Sequence, residues 1–177
     1  MFRFATIAVM LCALSACGAP PGEGDKRAAT LAAHPALTAA FLTGTTLKLF
    51  SPPVGTEYYY LAPDGRVVLA QPRRDRAMRG RWIIRPSNSF GAQLCLFIPG
   101  AREPLIADDA HREWNCASVD RLLPQADEIY DGDVLGLAGM TALPRQLPPR
   151  LNVPVAQALR EIGRTSGLGP NKAVAFD

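Results

Sequence analysis

Tyr58-Tyr59-Tyr60 and Val67-Val68-Leu69 flank Ala62-Pro63-Asp64-Gly65, and this stretch limits the fold more than any other. Pro and Asp suit the centre of a type I turn, and Gly65 suits the left-handed position after it. Two β-rich runs joined so tightly predict an antiparallel hairpin. The same period of two begins at Thr45, where Leu47 and Leu49 alternate with Thr46 and Lys48. Further runs follow at Arg81 to Arg85, Gln93 to Ile98, Asn115 to Val119, Asp127 to Tyr130 and Val134 to Ala138. The last two flank Asp131-Gly132, which reads as a second hairpin. Short strands and tight turns, with no helix between them, predict a mainly β fold: an antiparallel meander forming a small barrel or half-barrel.

A short helix is expected at each end. His34-Pro35 opens the N-terminal one over Pro35 to Leu42, with Pro at the first helical position. Leu37 and Phe41 share a face that should cap the barrel, and Gly44 suits the C-terminal stop. After Gly139, Pro144, Pro148, Pro149 and Pro154 crowd together, so this segment is extended and cannot join a central strand. Asn152 could cap a last helix, Val155 to Ile162, with Leu151, Val155, Leu159 and Ile162 as its apolar stripe. About ten residues do not hold a helix alone, so it docks on the domain, binds a partner or fluctuates. Gly163 to Asp177 reads as a loose tail.

At the other end, Arg3 precedes an apolar run from Phe4 to Leu14. That run is too short to span a bilayer, which takes ~20 residues. It ends in Leu14-Ser15-Ala16-Cys17, which resembles the bacterial lipobox. The resemblance implies that residues 1–16 are a signal peptide and that the Cys17 thiol takes a diacylglyceryl group. Gly18 stands where an Asp would retain such a protein at the inner membrane, so the family's sorting rule implies an outer-membrane lipoprotein with its domain in the periplasm. Each buried CH₂ contributes ~0.8 kcal/mol, so two or three acyl chains would hold it there. Gly18 to Ala33, rich in Gly, Pro, Ala and charge, reads as a flexible tether. The chain then divides into residues 1–16 (signal), 17–33 (anchor and tether), 34–143 (β domain) and 144–177 (Pro-rich extension).

Without its signal the chain keeps about 160 residues, the size of one domain. Its formal charge of +3 falls to about +2 when Arg3 is lost, too mild to argue for nucleic acid. Of four cysteines, Cys12 leaves with the signal and Cys17 is lipidated. Cys95 and Cys116 remain, and in an oxidising compartment a disulfide is the economical reading. It would close a loop of about twenty residues and contribute ~3 kcal/mol. A metal or a reactive thiol lacks its usual company, because the only histidines are His34 and His111.

Arg73, Arg74, Arg76, Arg79, Arg81 and Arg85 cluster around the strand that carries Trp82. In a strand, Arg79, Arg81, Ile83 and Arg85 face one way and Trp82 and Ile84 the other. Arg79, Arg81 and Arg85 are therefore the candidates for contact with an anionic partner: lipid phosphates, an anionic glycolipid or an acidic envelope protein. Arg suits this because its planar fork grips phosphate or carboxylate with two bonds. The plainer alternative is a solvated face. Asp108, Asp109, His111 and Glu113 could ligate a metal, but match no ligand spacing and read as a polar loop. Asp127, Glu128, Asp131 and Asp133 resemble half a calcium loop at most, and turn chemistry accounts for them. One of Tyr58, Tyr59 and Tyr60 could be exposed for binding, since tyrosine is rich in interfaces. No Ser-His-Asp set, phosphate cradle, zinc signature or cofactor motif is present in the sequence, so catalysis is unsupported.

Gly44-Thr45-Thr46, the tyrosine strand, Asp64-Gly65, Gly80-Arg81-Trp82, Leu94-Cys95 and Cys116 recur in an order similar to that of small, secreted alphaproteobacterial domains of unknown function. That resemblance runs over Gly44 to Ser118 and implies an antiparallel sheet and a disulfide, with no activity attached. Gly80-Arg81-Trp82 with Cys95 and Cys116 is also similar to the core of lipoprotein inhibitors of bacterial metalloproteases, although those place the Trp strand first. Small lysozyme-inhibitor lipoproteins share the size and the disulfide, but no motif. The expected function is a non-catalytic envelope binding or accessory module. The alternatives are an inhibitor of a protease or lysozyme, and an uncharacterised hydrolase.

Overall fold

The computed structural model describes residues 22–89, 91–101, 109–111, 114–143, 146–164 and 167–173. Its strands are β1 (Thr45–Ser51), β2 (Gly55–Leu61), β3 (Arg66–Ala70), β4 (Met78–Ser87), β5 (Gly91–Phe97), β6 (Asp109–His111), β7 (Trp114–Ser118) and β8 (Ala126–Asp131). All pair antiparallel in one sheet of order β6-β7-β5-β4-β3-β2-β1-β8. β1 to β5 form the expected meander, each strand beside its sequence neighbour. β7 then pairs with β5, and the chain crosses to place β8 beside β1. The sheet is a half-barrel with β6 and β8 as its edges.

The tyrosine hairpin forms as its turn residues dictate. Leu61 pairs with Val67 and Tyr60 with Val68. The Gly65 N–H donates to Ala62 O at 3.1 Å, and Gly65 takes φ +79°. Asp64 accepts from the Arg66 N–H at 3.2 Å and from its Nε at 2.6 Å, and these bonds hold the Asp64 carboxyl below its usual range. Gly80, in the Gly-Arg-Trp run, is needed for a different reason. A Cβ there would lie 2.0 Å from Phe97 O, so only glycine lets β4 coil this closely against the end of β5.

Both faces of the sheet are buried over part of its width. On the inner face, Leu47, Tyr59, Val67, Leu69, Trp82, Leu94 and Ile129 pack with helical residues Ala28, Leu42, Val119 and Leu123. These come from α1 (Glu23–Ala33), α2 (Pro35–Leu42) and α3 (Val119–Gln125). On the outer face, Tyr58, Val68, Ala70 and Tyr130 pack under Leu135, Leu137, Val153, Val155 and Leu159. Val155 and Leu159 belong to α4 (Val155–Glu161), the expected C-terminal helix, and it docks on its own sheet. Tyr58 and Tyr59 are therefore both buried, on opposite faces as expected, and Tyr60 is the partly exposed one of the three.

Several expectations are corrected. Residues 22–33 are not tether: α1 occupies Glu23–Ala33 and buries Gly24, Ala28 and Ala32, four residues apart, while residues 17–21 lie outside the described residues. Small side chains make that stripe, and they let the helix lie against the Gly91 turn. α2 spans Pro35–Leu42 as expected, but Thr38 and Leu42 are its buried pair, and Leu37 is 53 % exposed. The Thr38 hydroxyl donates to Leu31 O at 2.6 Å, and this bond to α1 sets which side of α2 turns inward. α3 intrudes where no helix was expected. Val134 to Ala138 is not a strand: the Asp133 carboxylate accepts from the Leu137 and Ala138 N–H groups, both at 2.7 Å, and closes a 3₁₀ turn over Leu137–Gly139. Pro154, not Asn152, precedes α4 as its cap, and Leu151 is exposed. The tail is not loose throughout, because Asn171, Lys172 and Ala173 return to β8 and α2.

Candidate functional site: the arginine and aromatic strip on the outer face of β4, β5 and β7

The outer cover made by α4 and the 3₁₀ turn reaches Arg79 on β4. Its guanidinium donates to Ala138 O at 3.1 Å and to Met140 O at 2.8 Å, tying the 3₁₀ turn to the sheet. On the inner side, α1 and α3 pack against β5, and α2 against β4 and β5. β4 alternates as its sequence requires, with Trp82 buried inward and its indole N–H donating to Ala62 O at 2.9 Å. Arg79, Arg81, Ile83 and Arg85 face outward.

The sheet register then decides what stands beside them. Arg81 is exposed, with Arg66 opposite it on β3 and Phe97 opposite it on β5. Arg85 lies with its guanidinium 5.1 Å from the centre of the Trp114 ring on β7. Trp114 and Phe97 are half-buried, their ring centres 6.0 Å apart and their planes inclined by 44°. The result is a strip of guanidinium groups beside two partly exposed aromatic rings. Stacking on Trp114 holds the Arg85 fork in place and weakens its hydration, which favours bidentate contact with phosphate or carboxylate.

Cys95 and Cys116 form the disulfide, and they are directly opposed register partners on β5 and β7. Cys17 lies outside the described residues. Of the three arginines singled out in the sequence, Arg81 and Arg85 are together on the outer strip, Arg81 exposed and Arg85 half-buried, and Arg79 is engaged at its border. Phe97 and Trp114 escaped the sequence reading. A directly cross-strand disulfide would have shown them, since pairing Cys95 with Cys116 sets Phe97 opposite Trp114.

The acidic residues near β8 have structural partners. Lys48, 2 % exposed, is 2.9 Å from Asp127 and 3.5 Å from Glu128. Glu128 also accepts from the Tyr130 hydroxyl at 3.0 Å and from the first N–H of α4 at 3.1 Å. Burial, with the Glu128 carboxylate second, pushes the Tyr130 phenol up to about 12 and Tyr58 further still. On the inner side the Tyr59 hydroxyl and the Gln71 amide both donate to the buried Glu57 carboxylate. Asp109 and His111 fall on β6, while Asp108 and Glu113 lie outside the described residues. A cavity of about 40 Å³ under α4, lined by Tyr58, Leu137, Leu147 and Ile162, holds no more than a few waters.

No family model matches this chain, and no curated protein or solved structure matches it either.

Proposed function

We propose that the chain is an outer-membrane lipoprotein, acylated at Cys17, whose β domain is a non-catalytic envelope binding module. The partner is a phosphate- or carboxylate-bearing envelope component, held by Arg81 and Arg85 on the outer face of β4. The observation that supports this is the strip itself. Two outward guanidinium groups and two partly exposed rings lie on paired strands of the half-barrel, where no neighbouring carboxylate binds Arg81 among the described residues. Charge-assisted hydrogen bonds on such a platform are the strong kind.

The test uses the mature domain and vesicles containing lipopolysaccharide, with zwitterionic vesicles as control. Binding should weaken with salt, and Arg81→Ser with Arg85→Ser should cost at least about tenfold in affinity. Arg79→Ser should lower stability more than affinity, because its fork already holds Ala138 and Met140. Retention of the double variant at wild-type strength would remove the site. The anchor is tested separately. Mass spectrometry of the membrane fraction should find an acylated N-terminal Cys17, and Cys17→Ser should move the protein to the soluble fraction.

A further inference from the structure

β8 is an edge of the half-barrel, yet its outward backbone is occupied by a side chain instead of a strand. The Asn171 Oδ1 accepts from the Ile129 N–H at 2.8 Å, and its Nδ2 donates to Asp127 O at 3.2 Å. Astride Glu128, these are the two bonds that one residue of an added parallel strand would make. The next residue completes the attachment by charge. Lys172 Nζ is 2.8 Å from Asp131 Oδ1, donates to Phe41 O at 3.1 Å and lies 4.2 Å from the centre of the Phe41 ring. Ala173 then tucks in, 3 % exposed.

We propose that the β8 edge is a strand-addition site for an extended polypeptide segment carrying a lysine, closed in this chain by its own Asn171-Lys172-Ala173. Main-chain bonds along an edge strand supply affinity, and the flanking side chains supply selection. Here the flanking groups are acidic: Asp127 and Asp131 have side chains 39 % and 76 % exposed. A second copy is disfavoured, because β8 against β8 would set Asp127, Glu128 and Asp131 of both copies side by side. A bare edge invites unselective pairing, so a short internal mimic guards it until a longer segment replaces it. This inference is independent of the arginine strip, which lies on another part of the sheet.

The experiment compares the full chain with a variant carrying Asn171→Ala and Lys172→Ala. The probe is a fluorescent peptide copying residues 167–177 but with Asn171→Val, so that its main chain alone can meet the Ile129 N–H and Asp127 O, followed by anisotropy at low ionic strength. The variant should bind it at least about tenfold more tightly than wild type, the order expected from freeing two hydrogen bonds. The Ile129 amide should exchange faster in the variant and slow again with peptide. Asp131→Asn in the variant background should weaken binding severalfold. Equal binding by wild type and variant would overturn the proposal, as would peptide binding that leaves Ile129 exchange unchanged. A variant that dimerises through β8 and gains no peptide affinity would overturn the choice of partner. If the double variant does not fold, Lys172→Ala alone serves, with the same expected direction.

Discussion

Gly65 and Gly80 are held to glycine by different things. A turn after Pro-Asp asks for a left-handed residue, and Gly65 takes φ +79°. The constraint on Gly80 comes from Phe97 on another strand. Gly80→Ala should cost about 1–3 kcal/mol through forced separation of β4 and β5, measured as a shift of the urea midpoint with unchanged slope. Trp114 is likewise placed by β5, which no local pattern shows. The tyrosines give a pH test. Tyr130 is raised from 10.0 to about 12 in the fold, so the folded state keeps a proton that the unfolded chain has lost. Its contribution to stability is full below about pH 10 and is lost as pH rises towards 12. A phenolate absorbance titration should show Tyr130 and Tyr58 resisting ionisation until the protein unfolds, and Tyr130→Phe should flatten part of the alkaline decline.

Among the elements, the β hairpin with the Pro-Asp-Gly turn and the helix at Pro35–Leu42 were legible because propensity and turn chemistry agreed with the final packing. α1 was not. Its Gly, Ala and charged residues have the composition of a linker, while the same small side chains make a stripe that packs closely against α3 and β5. Alanine is also the strongest helix former, which composition alone does not weigh. Ala28→Asp should therefore destabilise the domain by about 3 kcal/mol, since it buries an unpaired carboxylate. In a true tether it would do nothing, and a denaturant series separates the two outcomes. The segment after β8 misled in the opposite direction. Alternation suggested a strand, but Asp133 offers two backbone N–H groups a nearer acceptor.

At the level of the molecule, the half-barrel was predictable from many short strands, while its two cores were not. Strand alternation normally marks one wet face, yet β1 and β2 are buried on both, so Tyr58 and Tyr59 look alike in sequence and lie in different cores. The disulfide joins neighbouring strands across 21 residues of chain. Replacing both cysteines by alanine should lower unfolding free energy by about 3 kcal/mol, read from calorimetry or denaturant midpoints, and should loosen Trp114 beside Phe97. The docking of α1 has one more effect. Only six peptide bonds join Cys17 to Glu23, a leash of roughly 20 Å when taut. Were an acyl group attached at that sulfur, the start of α1 could stray no further than this from the lipid, and the folded body would sit against the bilayer surface.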